Sequence, residues 1–282
     1  MSIYNSLPSP YFRKKGVRLY HNDCIDIMKR IPNDSIDMVF ADPPYFLSSG
    51  TFTCKNGKQV DVKKGDWDIG GEINDNFNFH YRWIAEARRI LKSNGTIWIS
   101  GTYHSIYQCG FALQLLNFHL LNDISWFKPN ASPNLSCRFF TASHETLIWA
   151  RKDKKSKHTF NYKDMVMWED NYTKKFDCNF CKKPNRHEVI HEKGKQMRSV
   201  WAINTPKKEE KIFGKHPTQK SLALLDRIII SSTNENDVVL DPFTGSSTTG
   251  VSALSKNRKF VGIDLNKEFL ELSKDRINSI IY

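Results

Sequence analysis

The feature that most constrains this chain is a unit near its C-terminal end. The apolar run 238–240 (VVL) passes through Asp241-Pro242-Phe243-Thr244-Gly245 into helical spacing as far as Leu254, then reaches a second apolar run at 260–263 (FVGI). Apolar runs this short, bounded by Pro and Gly, read as buried strands, and the residues between them read as a tight turn and a helix. The same grammar appears earlier. Residues 36–40 (IDMVF) end in Asp42-Pro43-Pro44, where neither a helix nor a central strand can continue. Helical spacing over 79–91, carried by Trp83, Ile84, Ala87, Ile90 and Leu91, leads past Gly95 to a strand at 96–100 (TIWIS). Further strands are expected at 120–127 and 145–150, and a helix at 222–230. Strands alternating with helices imply an α/β fold with a parallel, doubly wound sheet covered on both faces.

Two stretches break the alternation. Residues 48–78 are long for a strand-to-helix connection and contain Asn56-Gly57 between TFTC and KQVDV, a hairpin-turn signal, so a mobile flap is expected there. Residues 152–211 mix lysines with Tyr162, Trp168, Tyr172, Phe176 and Phe180 and read as an insertion. The implied organisation is one half-domain at 1–151, the insertion at 152–211 and a second half-domain at 212–282. Charge singles out the insertion as well. Between Arg151 and Lys220 there are 19 Lys and Arg against 9 Asp and Glu, and most of the chain's net +12 lies there. Such a segment suits a polyanion, with Lys154, Lys155, Lys157, Lys174, Lys175 and Arg198 as candidate contacts; the alternative is a solvated basic face. The six cysteines lack framework spacing and no apolar segment opens the sequence, so a reduced cytoplasmic protein without a membrane span is expected.

Three groups of residues carry chemistry. Asp42-Pro43-Pro44-Tyr45 follows a buried strand, where open α/β sheets hold ligands. A carboxylate and a proline carbonyl can accept both hydrogens of an aromatic ring's exocyclic amine. That favours a tetrahedral nitrogen, and Tyr45 offers a face for stacking; the alternative is a proline turn capped by Asp. In the second group, Asp241 to Gly250, Gly245 permits the turn and the helix start faces a ligand. Eighteen residues separate Gly245 from Asp264, which ends the next strand and can bond a ribose, so a nucleoside-bearing cofactor is expected. The third group is Lys215-His216-Pro217-Thr218-Gln219-Lys220, a candidate carboxylate holder or simply a helix entry. Cys178, Cys181, His187 and His191 form a candidate zinc set. Only five residues separate Cys181 from His187, which is tight for a closed tetrahedral site, so reduced cysteines and surface histidines are favoured and no metal is expected.

In content and order these motifs resemble the β-group bacterial restriction-modification DNA methyltransferases, closest to the adenine-N6 enzymes of the MboII, HinfI and DpnII type. The likeness runs from about Arg18 to Lys274 through HNDC, ADPPYFLS, KGDWD, GTIWISG, PNLSCRFFTASHETLIWARK, GKHPTQK and LDPFTGSSTTG. It implies a Rossmann-like class I methyltransferase fold with permuted motif order and an inserted target-recognition region. It also implies methyl transfer from S-adenosylmethionine to the N6 amine of an adenine flipped out of duplex DNA, alongside a cognate endonuclease, by a monomer or homodimer. Asp42 and Pro43, with Pro44, would hold the amine and Tyr45 would stack on the base. Phe243, Gly245 and Thr248 would line the methionine part of the cofactor, with Asp241 near its amino group. Asp264 would hold the ribose, Asp23 the cofactor adenine, and Thr218 with Lys220 the carboxylate; Lys215, His216, Ser246 and Ser247 complete the site. Ser247 stands where the family usually has a second glycine, and is expected to narrow the approach to the cofactor. Competing readings are cytosine-N4 methylation, whose enzymes more often begin the tetrad with Ser, a silent DNA-binding paralogue, and an RNA methyltransferase.

Overall fold

The computed structural model describes residues 6–46, 52–55, 58–61, 71–166, 197–214 and 216–280. In chain order the elements begin with β1 (Phe12–Lys14), β2 (Val17–His21), α1 (Cys24–Met28), β3 (Ile36–Ala41), β4 (Phe52–Lys55) and β5 (Lys58–Asp61). There follow α2 (Ile73–Ile90), β6 (Leu91–Gly101), α3 (Ile106–Leu115), β7 (His119–Phe127), β8 (His144–Arg151) and α4 (Tyr162–Val166). The last are β9 (Val200–Ala202), α5 (Leu222–Ser232), β10 (Val238–Asp241), α6 (Thr248–Ser255), β11 (Lys259–Asp264) and α7 (Lys267–Asn278). Among the described residues nine strands form one sheet in the order β1-β2-β11-β10-β3-β6-β8-β7-β9, while β4 and β5 pair antiparallel with Lys55 opposite Lys58.

Side chains alternate across the central strands because successive residues of a strand face opposite ways. Val39, Ala41, Ile97 and Ile99 pack with Trp83, Ile84 and Ala87 of α2 and with Ile106, Cys109 and Ala112 of α3. Met38, Phe40 and Trp98 face the other layer, with Leu224, Leu225 and Ile228 of α5, Leu254 of α6 and Leu270 of α7. There Trp98 stacks on its cross-strand partner Trp149 at 4.9 Å, and Trp201 of β9 lies 6.0 Å from Trp98. The chain on either side of 167–196 is therefore built into the main body: Trp201 of β9 fills the core, and Asn161 donates to the carbonyls of Ile230 and Thr233 at the end of α5.

The sheet departs from the expected parallel pattern in two regions, one of them the edge strand β1, which runs antiparallel to β2. β2, β11, β10, β3 and β6 are parallel neighbours, but β8 runs antiparallel to both β6 and β7. The described connection 128–143 carries no crossover helix, and without one two neighbouring strands pair antiparallel. The strand expected at 96 begins instead at Leu91, directly after the helix. Ile36 pairs with Leu91 and Met38 with Thr96, so the residues between bulge outward, and a Cβ at Gly95 would lie 2.9 Å from the carbonyl of Asp37.

Strand direction decides where the basic cluster lies. β3 and β6 end at the edge of the sheet that carries Asp42, whereas β8 begins there and delivers Arg151 to the far edge, opposite Thr96. Lys152 bonds Asp34 and the carbonyl of Leu91 at that far edge, before β3 and at the start of β6. From Glu145 to Arg151 the strand runs roughly 20 Å. Lys154, Lys155 and Lys157 are exposed, but on the side of the sheet away from Asp42. Neutralising all three is therefore expected to leave unchanged the affinity for the DNA that the resemblance implies, and its salt dependence, which a binding series in increasing salt would check. Lys174, Lys175 and the candidate zinc ligands Cys178, Cys181, His187 and His191 lie outside the described residues; Arg198 is exposed just before β9. Among the described residues no group of three His, Cys, Asp or Glu is placed to hold a metal, and no helix is long and apolar enough to cross a membrane.

Candidate active site

β3 and β10 are parallel neighbours at the centre of the sheet; beyond β10 the order continues to β11, and beyond β3 to β6. This is the switch point of an open sheet, where connections leaving adjacent strand ends part and open a crevice. Here that crevice is a cavity of about 1060 Å³. Asp42, Pro43, Pro44 and Tyr45 line one end, Phe243 and Gly245 the middle, and Asp23 and Asp264 the other end, with His216, Thr218 and Phe269 along the walls. The volume lies at the upper limit of small-molecule sites, ~300–1,000 Å³.

The Gly245 turn is tightly built. Gly245 has φ +49°, and an added Cβ would lie 2.9 Å from the His216 ring, so only glycine keeps this backbone open to the cavity. Asp264 fixes the turn from the next strand: one carboxylate oxygen accepts the Gly245 N–H and the other the Asn266 N–H, each at 2.8 Å. Each oxygen keeps a lone pair for a ligand hydroxyl. Asp23 is likewise half engaged, capping α1 through the N–H groups of Ile25 and Asp26. Burial lowers the His216 pKa to about 3, aided by Lys220 and Arg276, so the ring is neutral.

Beneath the turn is an inner cavity of about 30 Å³ lined by Asp42, Thr218, Lys220, Asp241, Ser246 and Thr248 among others. Asp241 is buried, accepts from Thr249 and the Phe243 N–H, and is pushed up to about 7 by burial. The tetrad itself is held in an ionic cluster. Tyr45 donates to one oxygen of Asp42 at 2.5 Å, and the Lys220 ammonium pairs with the other. Glu145, at the start of β8, lies 3.4 Å from the Tyr45 hydroxyl and 3.8 Å from the Lys220 ammonium, and pairs with Lys128 at the end of β7. Burial raises the Asp42 pKa, with Lys220 opposing and Glu145 adding to the rise. For Lys220, burial pulls downward but Asp42 and Glu145 outweigh it, so its pKa is raised.

The family model described as DNA methylase matches residues 36–275. The chain belongs to the DNA methylase family. It is 47% identical over 273 residues to Type II methyltransferase M2.LlaDCHI of Lactococcus lactis subsp. cremoris, spanning 96% of this chain and 93% of the relative. It is 44% identical over 274 residues to M2.DpnII of Streptococcus pneumoniae, spanning 97% and 94%. Among solved structures, the M1.HpyAVI complex with S-adenosylmethionine superposes with a TM-score of 0.62 at 28% identity, covering 93% of this chain and 99% of that one. The cytosine-N4-specific PvuII methyltransferase superposes at 0.68 with 17% identity, covering 98% and 92%, a likeness of fold.

The methylase uses S-adenosylmethionine, and the cavity fits it. The open Gly245 backbone allows an extended ligand close approach, Asp264 and Asp23 keep acceptor lone pairs at one end, and the small polar cavity lies beneath the turn. Two residues sit differently from expectation. Lys220 borders the inner cavity, but its ammonium pairs with Asp42 and lies 3.8 Å from Glu145, while Thr218 and His216 line both cavities. Ser247 is fully buried in the left-handed conformation (φ 52°, ψ 39°), its hydroxyl 2.8 Å from that of Thr244. It lines neither cavity, so it does not narrow the approach; Ser246 and Thr248 are bonded to Arg276 of α7. Ser247→Gly is therefore expected to leave cofactor affinity unchanged, measurable by isothermal titration. Lys215 lies outside the described residues.

Glu145 and Lys128 were not among the residues singled out from the sequence. A signal existed: Glu145 directly precedes the apolar run TLIWA, and a carboxylate beginning a buried strand must find a partner.

Proposed function

We propose that this methylase transfers a methyl group to the N6 amine of adenine in duplex DNA, beside a type II restriction endonuclease of matching specificity. The observation that carries this reading is Asp42, a partly desolvated carboxylate at the switch point, set between the cofactor cavity and Tyr45. An aromatic amine is a poor nucleophile because its lone pair is delocalised into the ring. Asp42 accepts one amine hydrogen and the carbonyl of Pro43 the other, drawing the nitrogen toward tetrahedral geometry and countering the positive charge that develops there. Bound S-adenosylmethionine supplies an electrophilic methyl group. Entry of the amine at Asp42 displaces the Tyr45 hydroxyl and frees the ring to stack on the extruded base. Lys220 stays on the second oxygen and keeps the carboxylate ionised and oriented.

Adenine is favoured over cytosine by the aspartate that heads the tetrad, since the resemblance associates serine there with cytosine-N4 enzymes. The type II names of the relatives support a restriction-modification role. Segment 167–196 and the region 48–72, which ends where α2 begins, are assigned to sequence recognition. The test is incubation with isotope-labelled cofactor and duplex DNA or RNA, then digestion to nucleosides. N6-methyldeoxyadenosine from DNA is the expected product; N4-methyldeoxycytidine, or label confined to RNA, would overturn the assignment.

A further inference from the structure

The loop joining β7 to β8 opens at the same edge of the sheet as Asp42, because Lys128 and Glu145 at its two ends both belong to the catalytic cluster. It is a braced structure. The Lys128 N–H donates to the Ser143 carbonyl and closes its base, while the Asn134 side chain donates to the Phe139 carbonyl and accepts from Ser136. The Asn134 N–H adds a bond to the Thr141 hydroxyl. With its polar groups turned on one another, the loop presents apolar ones outward: Phe140 is 97% exposed, Phe139 66% and Leu135 42%. Arg138, beside them, is exposed, and no Asp or Glu lies between Lys128 and Glu145.

Two adjacent phenyl rings held in water next to a cation, with no acidic neighbour in the loop, suit a surface that is flat, aromatic and edged with negative charge. A DNA base stack bordered by phosphates has that chemistry. From Phe140 to Glu145 the chain spans at most roughly 17 Å, so the rings stay close to the nucleotide whose amine Asp42 holds. Extruding a base leaves a gap in the stack, and an apolar wedge inserted between base steps fills it.

We infer that Phe140, supported by Phe139 and Arg138, is the wedge that enters the duplex and holds it open while the target base occupies the site. The inference rests on the DNA reading above and assigns the opening step to the 128–143 loop, separately from sequence recognition. The wedge acts only where a stack must be opened, so its removal is costly on an intact duplex and nearly silent on one already open.

The experiment compares the full chain with Phe140→Ala and with the Phe139→Ala, Phe140→Ala pair, on duplexes carrying the methylated sequence first mapped in cells. One duplex is fully paired; in the other the target adenine faces an abasic site. The expected result is a roughly 10- to 100-fold fall in kcat/KM on the paired duplex, little change on the opened one, and recovery with Phe140→Trp. With 2-aminopurine at the target position, the parent protein should raise fluorescence on binding and the pair variant should not. Equal activity on the paired duplex, or an equal loss on both, overturns the wedge. Failure of the adenine reading would appear separately, as absence of N6-methyldeoxyadenosine from the unsubstituted protein on either duplex.

Discussion

Asp42→Asn is expected to lower the rate of methyl transfer by about 10²–10³-fold, the usual cost of removing one fixed group that stabilises developing charge, while S-adenosylmethionine affinity stays at its parent value. The amide matches the carboxylate in shape but has one acceptor only. Lys220, which cannot accept a hydrogen bond, claims that oxygen, so the –NH₂ group turns toward Tyr45 and the incoming amine. Donor then meets donor at the reacting nitrogen. Asparagine is a cleaner test than alanine because it keeps the side-chain volume and one acceptor for Lys220; both variants remove the charged partner of that ammonium, so thermal unfolding is measured alongside. Single-turnover transfer with labelled cofactor, paired with isothermal titration, separates the two effects. Retained transfer with weakened cofactor binding would move Asp42 out of the amine site and into the cofactor site.

The second large effect concerns the charges behind Asp42. Methyl transfer requires Asp42 ionised, so activity falls as pH drops through its pKa, which burial has already raised. Lys220 opposes that rise and Glu145 adds to it. Lys220→Met therefore shifts the acidic limb of the kcat profile to higher pH, because two neighbouring buried carboxylates no longer share a cation and one of them retains a proton. Glu145→Gln shifts the limb to lower pH by removing the like charge. The expected loss at neutral pH is large for Lys220→Met and smaller for Glu145→Gln. Opposite displacements of the limb, measured at saturating cofactor, are what a tuning cluster yields. Limbs moving together, or not at all, would mean that these residues support the fold without setting the state of Asp42. Because each variant perturbs a desolvated pair, thermal unfolding at a fixed pH should accompany each profile.

The cluster also explains the position of Tyr45. Its ring is nearly buried and its hydroxyl occupies the oxygen that the amine needs. The acceptor is thus kept hydrogen-bonded until the base arrives, which avoids the cost of an unpaired carboxylate facing a largely apolar wall. Exchange of one hydrogen bond for another makes entry of the base nearly neutral in hydrogen-bonding terms.

Much of this was legible in the sequence because it depends on neighbours a few residues apart. The short apolar runs, the Asp42-Pro43-Pro44 stop and the Gly245 turn each encode local backbone geometry, and each lies where that geometry requires, as do the antiparallel strands β4 and β5. Even the convergence of Asp42, Gly245 and Asp264 on one cavity follows once the strands are parallel, since parallel neighbours end at the same edge. The direction of β8 could not be read this way. An apolar strand has the same pattern whichever way it runs, and its pairing with β6 and β7 decided that Lys154, Lys155 and Lys157 lie at the far edge while the 128–143 loop opens at the edge that carries Asp42. The facing of Ser247 was equally hidden, because a left-handed residue turns its side chain according to the whole turn, here toward Thr244. The pairing of Asp42 with Lys220 joins residues 178 positions apart, and the contact of Tyr45 with Glu145 joins residues 100 apart. The sequence by itself determined which groups could accept an amine and cradle a cofactor; only the tertiary structure decided which buried charges answer one another, because that is set by desolvation among strands distant in the chain.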